Sequence, residues 1–250
     1  MEQVWISAAG LSLATMLGAV IGFIVKELPH KWNDISLGFC AGIMLSAATV
    51  GLILPAAESL GSGGWYLLVV GVVAGMLFLN LLDFFTPHLH KITGLDQEEH
   101  RNNASLNKVM LFVMAIALHN LPEGIAAGVG FNSPETSDAW AVTLGIAVQN
   151  IPEGMVIIGP MLAAGISPKR TFLCALATGL IEVLGTLLGY FAVSLASAIL
   201  PFALAFAGGT MLYVISDEMI PETHHDHESS ATYALLVGFC VMLISDVLLG

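Results

Sequence analysis

The chain is a succession of long apolar runs separated by short polar stretches. Runs of about 20 predominantly apolar residues, the length that crosses a hydrocarbon core as a helix, recur at residues 4–25, 35–57, 64–86, 108–130, 139–162, 170–195, 201–220 and 231–249. The pattern predicts an all-α integral membrane protein of eight transmembrane helices. Little sequence is left over, so residues 1–250 are expected to form one membrane domain. Two connections are hydrophilic enough to be loops. Residues 88–107 carry His88, His90, Asp96, Glu98, Glu99 and His100, and residues 222–230 carry Glu222, His224, His225, Asp226, His227 and Glu228. Mixed His and carboxylate tracts either hold zinc-like cations weakly or serve as solvated linkers.

Composition strengthens the membrane reading. Hydrophobic residues make up 56% and charged residues 10%, with a mean hydropathy of +0.86, whereas soluble domains carry roughly 25% charged residues. The three cysteines, Cys40, Cys174 and Cys240, are scattered through apolar runs without a CxxC pair and read as small buried hydrophobes. The first run is expected to be a membrane helix and not a signal peptide, because its only early charge is Glu2 and a signal peptide starts basic.

Charge placement sets an orientation. All seven Lys/Arg lie in alternate connections: Lys26 and Lys31 after the first run, Lys91, Arg101 and Lys108 after the third, Lys169 and Arg170 after the fifth. The positive-inside rule then puts these connections in the cytoplasm and both termini on the extracytoplasmic side of a cell (cytoplasmic or inner) membrane. The acids are placed differently. Asp83, Glu123, Glu153, Glu182, Asp217, Glu218 and Asp246 fall within or at the ends of the apolar spans, where no Lys or Arg neutralises them. Such carboxylates must be protonated, hydrated or bound to a cation.

The densest chemistry is a motif that occurs twice. His119-Asn120-Leu121-Pro122-Glu123-Gly124 lies in the fourth run and Gln149-Asn150-Ile151-Pro152-Glu153-Gly154 in the fifth. Helical spacing puts His119 and Glu123 on one face, bordered by Asn120. Pro122 and Pro152 leave the carbonyls of Leu118 and Val148 without a donor and should kink their helices. Freed carbonyls are tolerated at membrane depth only where something else satisfies them, as a water- or ion-filled site does. The two spans run in opposite directions, so the clusters can face one another. One imidazole, at least two carboxylates and three amide oxygens suit a borderline divalent cation, and the lack of thiolates argues against a copper(I) site. Glu182, alone in the sixth run, would add a third carboxylate.

A fainter repeat relates Phe39–Leu45 in the second run to Phe206–Leu212 in the seventh, each followed by Pro and then Glu (Pro55 and Glu58; Pro221 and Glu222). Repeats in antiparallel spans are typical of secondary transporters with a site at the repeat interface. Five GxxxG pairs, Gly18/Gly22, Gly38/Gly42, Gly71/Gly75, Gly124/Gly128 and Gly185/Gly189, predict a tightly packed bundle.

With these motifs the chain resembles the ZIP (Zrt-, Irt-like) family of divalent metal transporters, and within it the prokaryotic GufA-type branch. The resemblance implies a 3+2+3 inverted-repeat bundle and a homodimer. It also implies alternating access by an elevator-like movement, carrying metal into the cytoplasm. It implies a midplane two-metal centre, one position lined by His119, Glu123, Gln149, Asn150 and Glu153. The other is lined by Asn120, Glu123, Asn150, Glu153 and Glu182, with Glu123 and Glu153 bridging. Asn150 stands where several relatives have Asp, which predicts weaker binding at the second position. A cytoplasmic exit is implied at Asp83, His88, Asp217 and Glu218, and an entrance at Asp246. The transported substrate is expected to be Zn2+, with Cd2+, Fe2+ and Mn2+ as further passengers. No catalytic cofactor and no nucleic-acid partner are expected; the partners are the metal ion and the lipid bilayer.

Two other readings compete. A proton-coupled carrier of another solute would use the acids as relays, although the lack of intramembrane Lys or Arg argues against anionic substrates. An intramembrane zinc enzyme wants HExxH, and here Glu123 occupies the place of the second His and Asn120 that of the Glu. The chain is therefore expected not to be an enzyme.

Overall fold

The computed structural model describes residues 1–25, 29–61, 63–92, 104–132, 136–195, 197–223 and 229–249, and every regular element among them is helical. The helices are α1 (Glu2–Val25), α2 (His30–Ser46), α3 (Leu54–Leu60), α4 (Trp65–Ile92), α5 (Ala104–Gly130), α6 (Thr136–Ala163), α7 (Pro168–Leu195), α8 (Leu200–Val214), α9 (Ile220–Glu222) and α10 (Ser229–Leu249). Among the described residues six helical stretches are long and apolar enough to cross a membrane: Glu2–Val25, Asp34–Leu60, Thr136–Ala163, Pro168–Leu195, Leu200–Asp217 and Ser229–Leu248. Trp65–Leu81 is a shorter apolar helix. The expected loop 88–107 is shorter than its polarity suggests, because α4 continues to Ile92 and α5 starts at Ala104. A polar helix end reads like a loop when composition alone is considered. The His-bearing stretch 224–228 lies outside the described residues.

The second and seventh apolar runs are not uniform helices. α2 passes through a π-helical segment, Ala47–Ile53, into α3, and α8 passes through another, Ile215–Met219, into α9. Both segments precede a proline, Pro55 and Pro221. Each proline ring crowds the carbonyl four residues back, that of Gly51 or Asp217, and the wider π turn gives that carbonyl room. Pro122 and Pro152 behave differently: α5 and α6 run through them as continuous helices.

The helices are apolar on their exposed faces, and small and polar side chains lie with apolar ones in the interior. On α7, Leu180, Leu184 and Leu188 are about half exposed, whereas Gly179, Glu182, Gly185, Thr186 and Gly189 are buried. This is the reverse of a water-soluble helix and suits a lipid surroundings.

Glycines decide which helices pair. A Cβ added at Gly18 would lie closer than 3.0 Å to the carbonyl oxygen of Ile151, one at Gly154 would overlap the carbonyl of Thr15, and one at Gly22 would meet that of Met155. These contacts bind α1 to α6. The contacts of Gly185 with Leu121, Gly124 with Glu182 and Gly189 with Ile125 bind α7 to α5 in the same way. The second set is the first one translated. Thr15 and Glu182 are 167 positions apart, as are Gly18 and Gly185 and likewise Gly22 and Gly189. A further matching set joins α2 to α10 (Gly42 with Leu235, Gly238 with Phe39) and α8 to α4 (Gly209 with Val72, Gly75 with Phe206). The same shift carries the first π segment onto the second.

Two groups result: α1, α5, α6 and α7 in one, α2, α4, α8 and α10 in the other. Within each group most of these glycines meet backbone first, although Gly22, Gly71, Gly179 and Gly208 have a side-chain atom nearest. Where α6 of the first group meets the second group, they meet side chains, Gly51 against Val142 and Gly145 against Met242.

Candidate metal centre

Within the first group, α5, α6 and α7 bring the repeated motif and Glu182 together in the interior. Asn120, Glu123, Gln149, Asn150, Glu153 and Glu182 are all buried. The motif glycines explain how. Gly124, one residue after Glu123, admits the backbone of Glu182 itself, and Gly154, one residue after Glu153, admits the backbone of Thr15. Each glycine is therefore the point at which its helix receives the next wall of the site.

Side chains then interlock. Gln149 Nε2 on α6 donates to Glu123 Oε1 on α5 at 2.6 Å, and Asn150 Nδ2 donates to Glu182 Oε1 on α7 at 2.6 Å. Asn120 Nδ2 donates to the carbonyl of Thr178, one turn before Glu182, at 3.1 Å. Thr15 on α1 donates to Glu182 Oε2 at 3.2 Å. From the other helix group, the Cys40 thiol donates to the backbone carbonyl of Gln149 at 3.5 Å.

These bonds engage the amide nitrogens and leave the oxygens. Asn120 Oδ1, Glu123 Oε2, Gln149 Oε1 and Asn150 Oδ1 are buried and have no hydrogen-bond partner among the described residues. A buried unpaired acceptor costs about 1–3 kcal/mol, so four in one site are expensive unless something electropositive fills the space between them. The donor set is oxygen-rich, acceptor-only at the carboxylates, and without a protein cation, which is the chemistry of a divalent-ion site. Among the described residues no three His, Cys, Asp or Glu side chains stand together in metal-holding range. Amide oxygens lie outside that count, and they make up three of the four unpaired acceptors.

The His119 side chain lies outside the described residues, although its backbone belongs to α5 beside Asn120. Asp83 and His88 belong to α4 and Glu218 to the second π segment, with side chains likewise outside the described residues. Asp217 is exposed in that π segment, and Asp246 is half-buried on α10. Neither Asp217 nor Asp246 is joined to the buried cluster by a hydrogen bond among the described residues. Thr15, Thr178 and Cys40 are contacts that motif reading missed. For Thr15 a signal existed: it precedes Gly18 and Gly22 by the same spacing that separates Glu182 from Gly185 and Gly189.

Comparison with known proteins decides the family. Residues 93–246 match the family model described as ZIP Zinc transporter. The chain belongs to the ZIP family. It is thus a member of a transporter family and not of an enzyme family. It is 41% identical over 244 residues to "Zinc transporter GufA" of Myxococcus xanthus, covering 95% of both chains. It is 39% identical over 256 residues to "Zinc transporter ZIPB" of Bordetella bronchiseptica, covering 97% of this chain and 80% of the other. "Zinc transporter ZIP11" of Homo sapiens is 30% identical, with 94% of both chains covered. ZIP membership, apolar helices and a buried oxygen-rich cluster agree on a multi-pass membrane protein that handles metal ions.

Proposed function

We propose that this ZIP protein moves Zn2+ across a cell membrane into the cytoplasm by alternating access, with Cd2+, Fe2+ and Mn2+ as further passengers. The observation that carries the proposal is the group of four unpaired, buried oxygens on Asn120, Glu123, Gln149 and Asn150, set against the carboxylate of Glu182. A cation entering there would meet acceptors already in place and no competing Lys or Arg.

In this reading residues 1–250 form one transporter domain of eight spans in a 3+2+3 inverted repeat, with both termini extracytoplasmic. The matched glycine contacts of α1–α6 and α7–α5, and of α2–α10 and α8–α4, support the repeat. Two metal positions share Glu123 and Glu153. His119, Gln149 and Asn150 complete the first, and Asn120, Asn150 and Glu182 the second. Asp83, His88, Asp217 and Glu218 serve the cytoplasmic exit, and Asp246 the entrance. The helix group that holds the site moves as a body against α2, α4, α8 and α10. The close backbone approaches at Gly18, Gly154, Gly124 and Gly185 in one group and at Gly42, Gly238, Gly75 and Gly209 in the other support such a division. The assembly is a homodimer.

Proteoliposomes holding only the purified protein test the function. Uptake should be seen for Zn2+ and Cd2+ across a panel of divalent ions; a protein that moves neither ion, or moves only protons, would reject the metal reading in favour of another proton-coupled carrier.

Two further outcomes follow from the donor set. Asn150→Asp replaces a donor to Glu182 by a second negative charge. It should strengthen metal binding at the second position by about tenfold, equivalent to roughly 1.4 kcal/mol, in an equilibrium titration. Unchanged affinity and stoichiometry would remove Asn150 from the site. Metal ligands must be deprotonated to bind, and binding releases protons. Affinity should therefore fall as pH falls, and a titration that is flat between about pH 5 and pH 7 would contradict a His- and carboxylate-lined site.

A further inference from the structure

The translation that maps α1 onto α7 pairs the site's third carboxylate with a hydroxyl. Glu182 packs against Gly124, Thr15 packs against Gly154, and the two residues stand 167 positions apart like the glycines that follow each of them. Thr15 is thus where the other half of the molecule carries Glu182. The two also touch. Thr15 Oγ1 is 3.2 Å from Glu182 Oε2, both side chains are buried, and the partner oxygen, Oε1, is held by Asn150.

Thr15 has one hydroxyl proton and two acceptors for it. Besides Glu182, the carbonyl of Leu11 lies 3.3 Å away, and the Asn150 amide also reaches that carbonyl at 3.4 Å. Leu11, Thr15, Asn150 and Glu182 therefore close a ring in which Glu182 receives a donor at each oxygen. A carboxylate held at both oxygens has its plane fixed. The Leu11 carbonyl gives the hydroxyl somewhere to turn when Glu182 Oε2 takes a cation instead. A valine in place of Thr15 would keep the shape and lose both functions.

We infer that Thr15 is a positioning residue of the metal site, whose hydroxyl orients Glu182 and sets how tightly the second metal position fills. This rests on the two-position reading of the site under Proposed function. Groups that orient metal ligands typically contribute 10–100-fold to affinity. Glu182 is not shared with the first position, so the effect should be confined to the second.

The test is an equilibrium Zn2+ titration of purified full-length protein, with bound metal counted by mass spectrometry. Thr15→Val, Thr15→Ser and Glu182→Ala are measured beside the unsubstituted chain, and thermal unfolding is recorded for each. Thr15→Val should weaken the second position by about tenfold or more, leaving the first position and the unfolding temperature unchanged. Thr15→Ser, which keeps the hydroxyl, should stay within about twofold of the unsubstituted protein. Wild-type second-position affinity in Thr15→Val would overturn the inference. Equal losses in Thr15→Val and Thr15→Ser would also overturn it, since packing and not the hydroxyl would then be responsible. Glu182→Ala separates the two layers: if it leaves both positions intact, or if the unsubstituted chain binds a single ion, the two-position reading itself fails and the role of Thr15 falls with it.

Discussion

Glu123→Ala should abolish Zn2+ uptake. The Glu123 carboxylate is both committed and open: Oε1 accepts from Gln149 at 2.6 Å while Oε2 is buried without a partner among the described residues. In the proposed centre it bridges both positions, so its removal empties the site and does more than weaken it. The loss should exceed about 100-fold, beyond the 10–100-fold expected of a group that merely orients a ligand. Glu123→Gln sharpens the experiment. It keeps a side-chain oxygen for the Gln149 amide and removes only the charge. If charge is what holds the cation, uptake is lost in both variants while the purified protein still elutes and unfolds as the unsubstituted chain does. Robust uptake by Glu123→Gln would show that the carboxylate's charge is dispensable, and the proposed centre would have to lie elsewhere.

A second large effect is expected from a methyl group. Gly154→Ala places a Cβ against the Thr15 carbonyl at a separation that Cβ atoms do not adopt, and the neighbouring atom is backbone, which has nowhere to rotate. α1 and α6 must then part. Overpacking of this kind costs about 1–3 kcal/mol. In this protein the displacement also pulls the Asn150 amide on α6 from the Leu11 carbonyl on α1, which opens the ring that includes Thr15 and Glu182. Transport should fall more steeply than stability. Gly124→Ala should act alike through the Glu182 backbone. Gly10, on the same α1 helix, has nothing within 4 Å of its added Cβ, so Gly10→Ala should be silent. Transport and melting temperature for these three variants check the point, and a silent Gly154→Ala would contradict the close approach of α1 and α6.

The membrane helices and the site's elements were largely legible because each rests on a local rule. Twenty apolar residues need no partner to be read as a span, and carboxylates in such a span stand out whatever surrounds them. The repeated PEG stretches lie on two of the helices that carry the buried cluster. What was not legible depends on packing between distant segments. Gly124, which read as part of a general packing signal, and Gly154, which read only as the end of the second motif, turn out to be the points where the backbones of Glu182 and Thr15 approach the cluster. Thr15 is an ordinary residue in a helix of small side chains until Gly154 brings its backbone against α6. The π segments were missed because a proline in sequence announces strain and not how the helix absorbs it; Pro122 and Pro152 sit within continuous α-helix, whereas Pro55 and Pro221 follow widened turns. The amides were read as ligands through their oxygens. Their nitrogens have a second task that spacing could not reveal, tying Glu123 and Glu182 to α6.

The central claim is that the buried cluster on α5, α6 and α7 is where the transported ion rests. Anomalous scattering at the zinc edge from crystals of the zinc-loaded protein locates the metal directly. Density should lie about 2.0–2.2 Å from carboxylate oxygens of Glu123 and Glu153, with a second, weaker peak beside Glu182. Zinc density confined to the polar connections, with the cluster empty in protein that still takes up Zn2+, would contradict it.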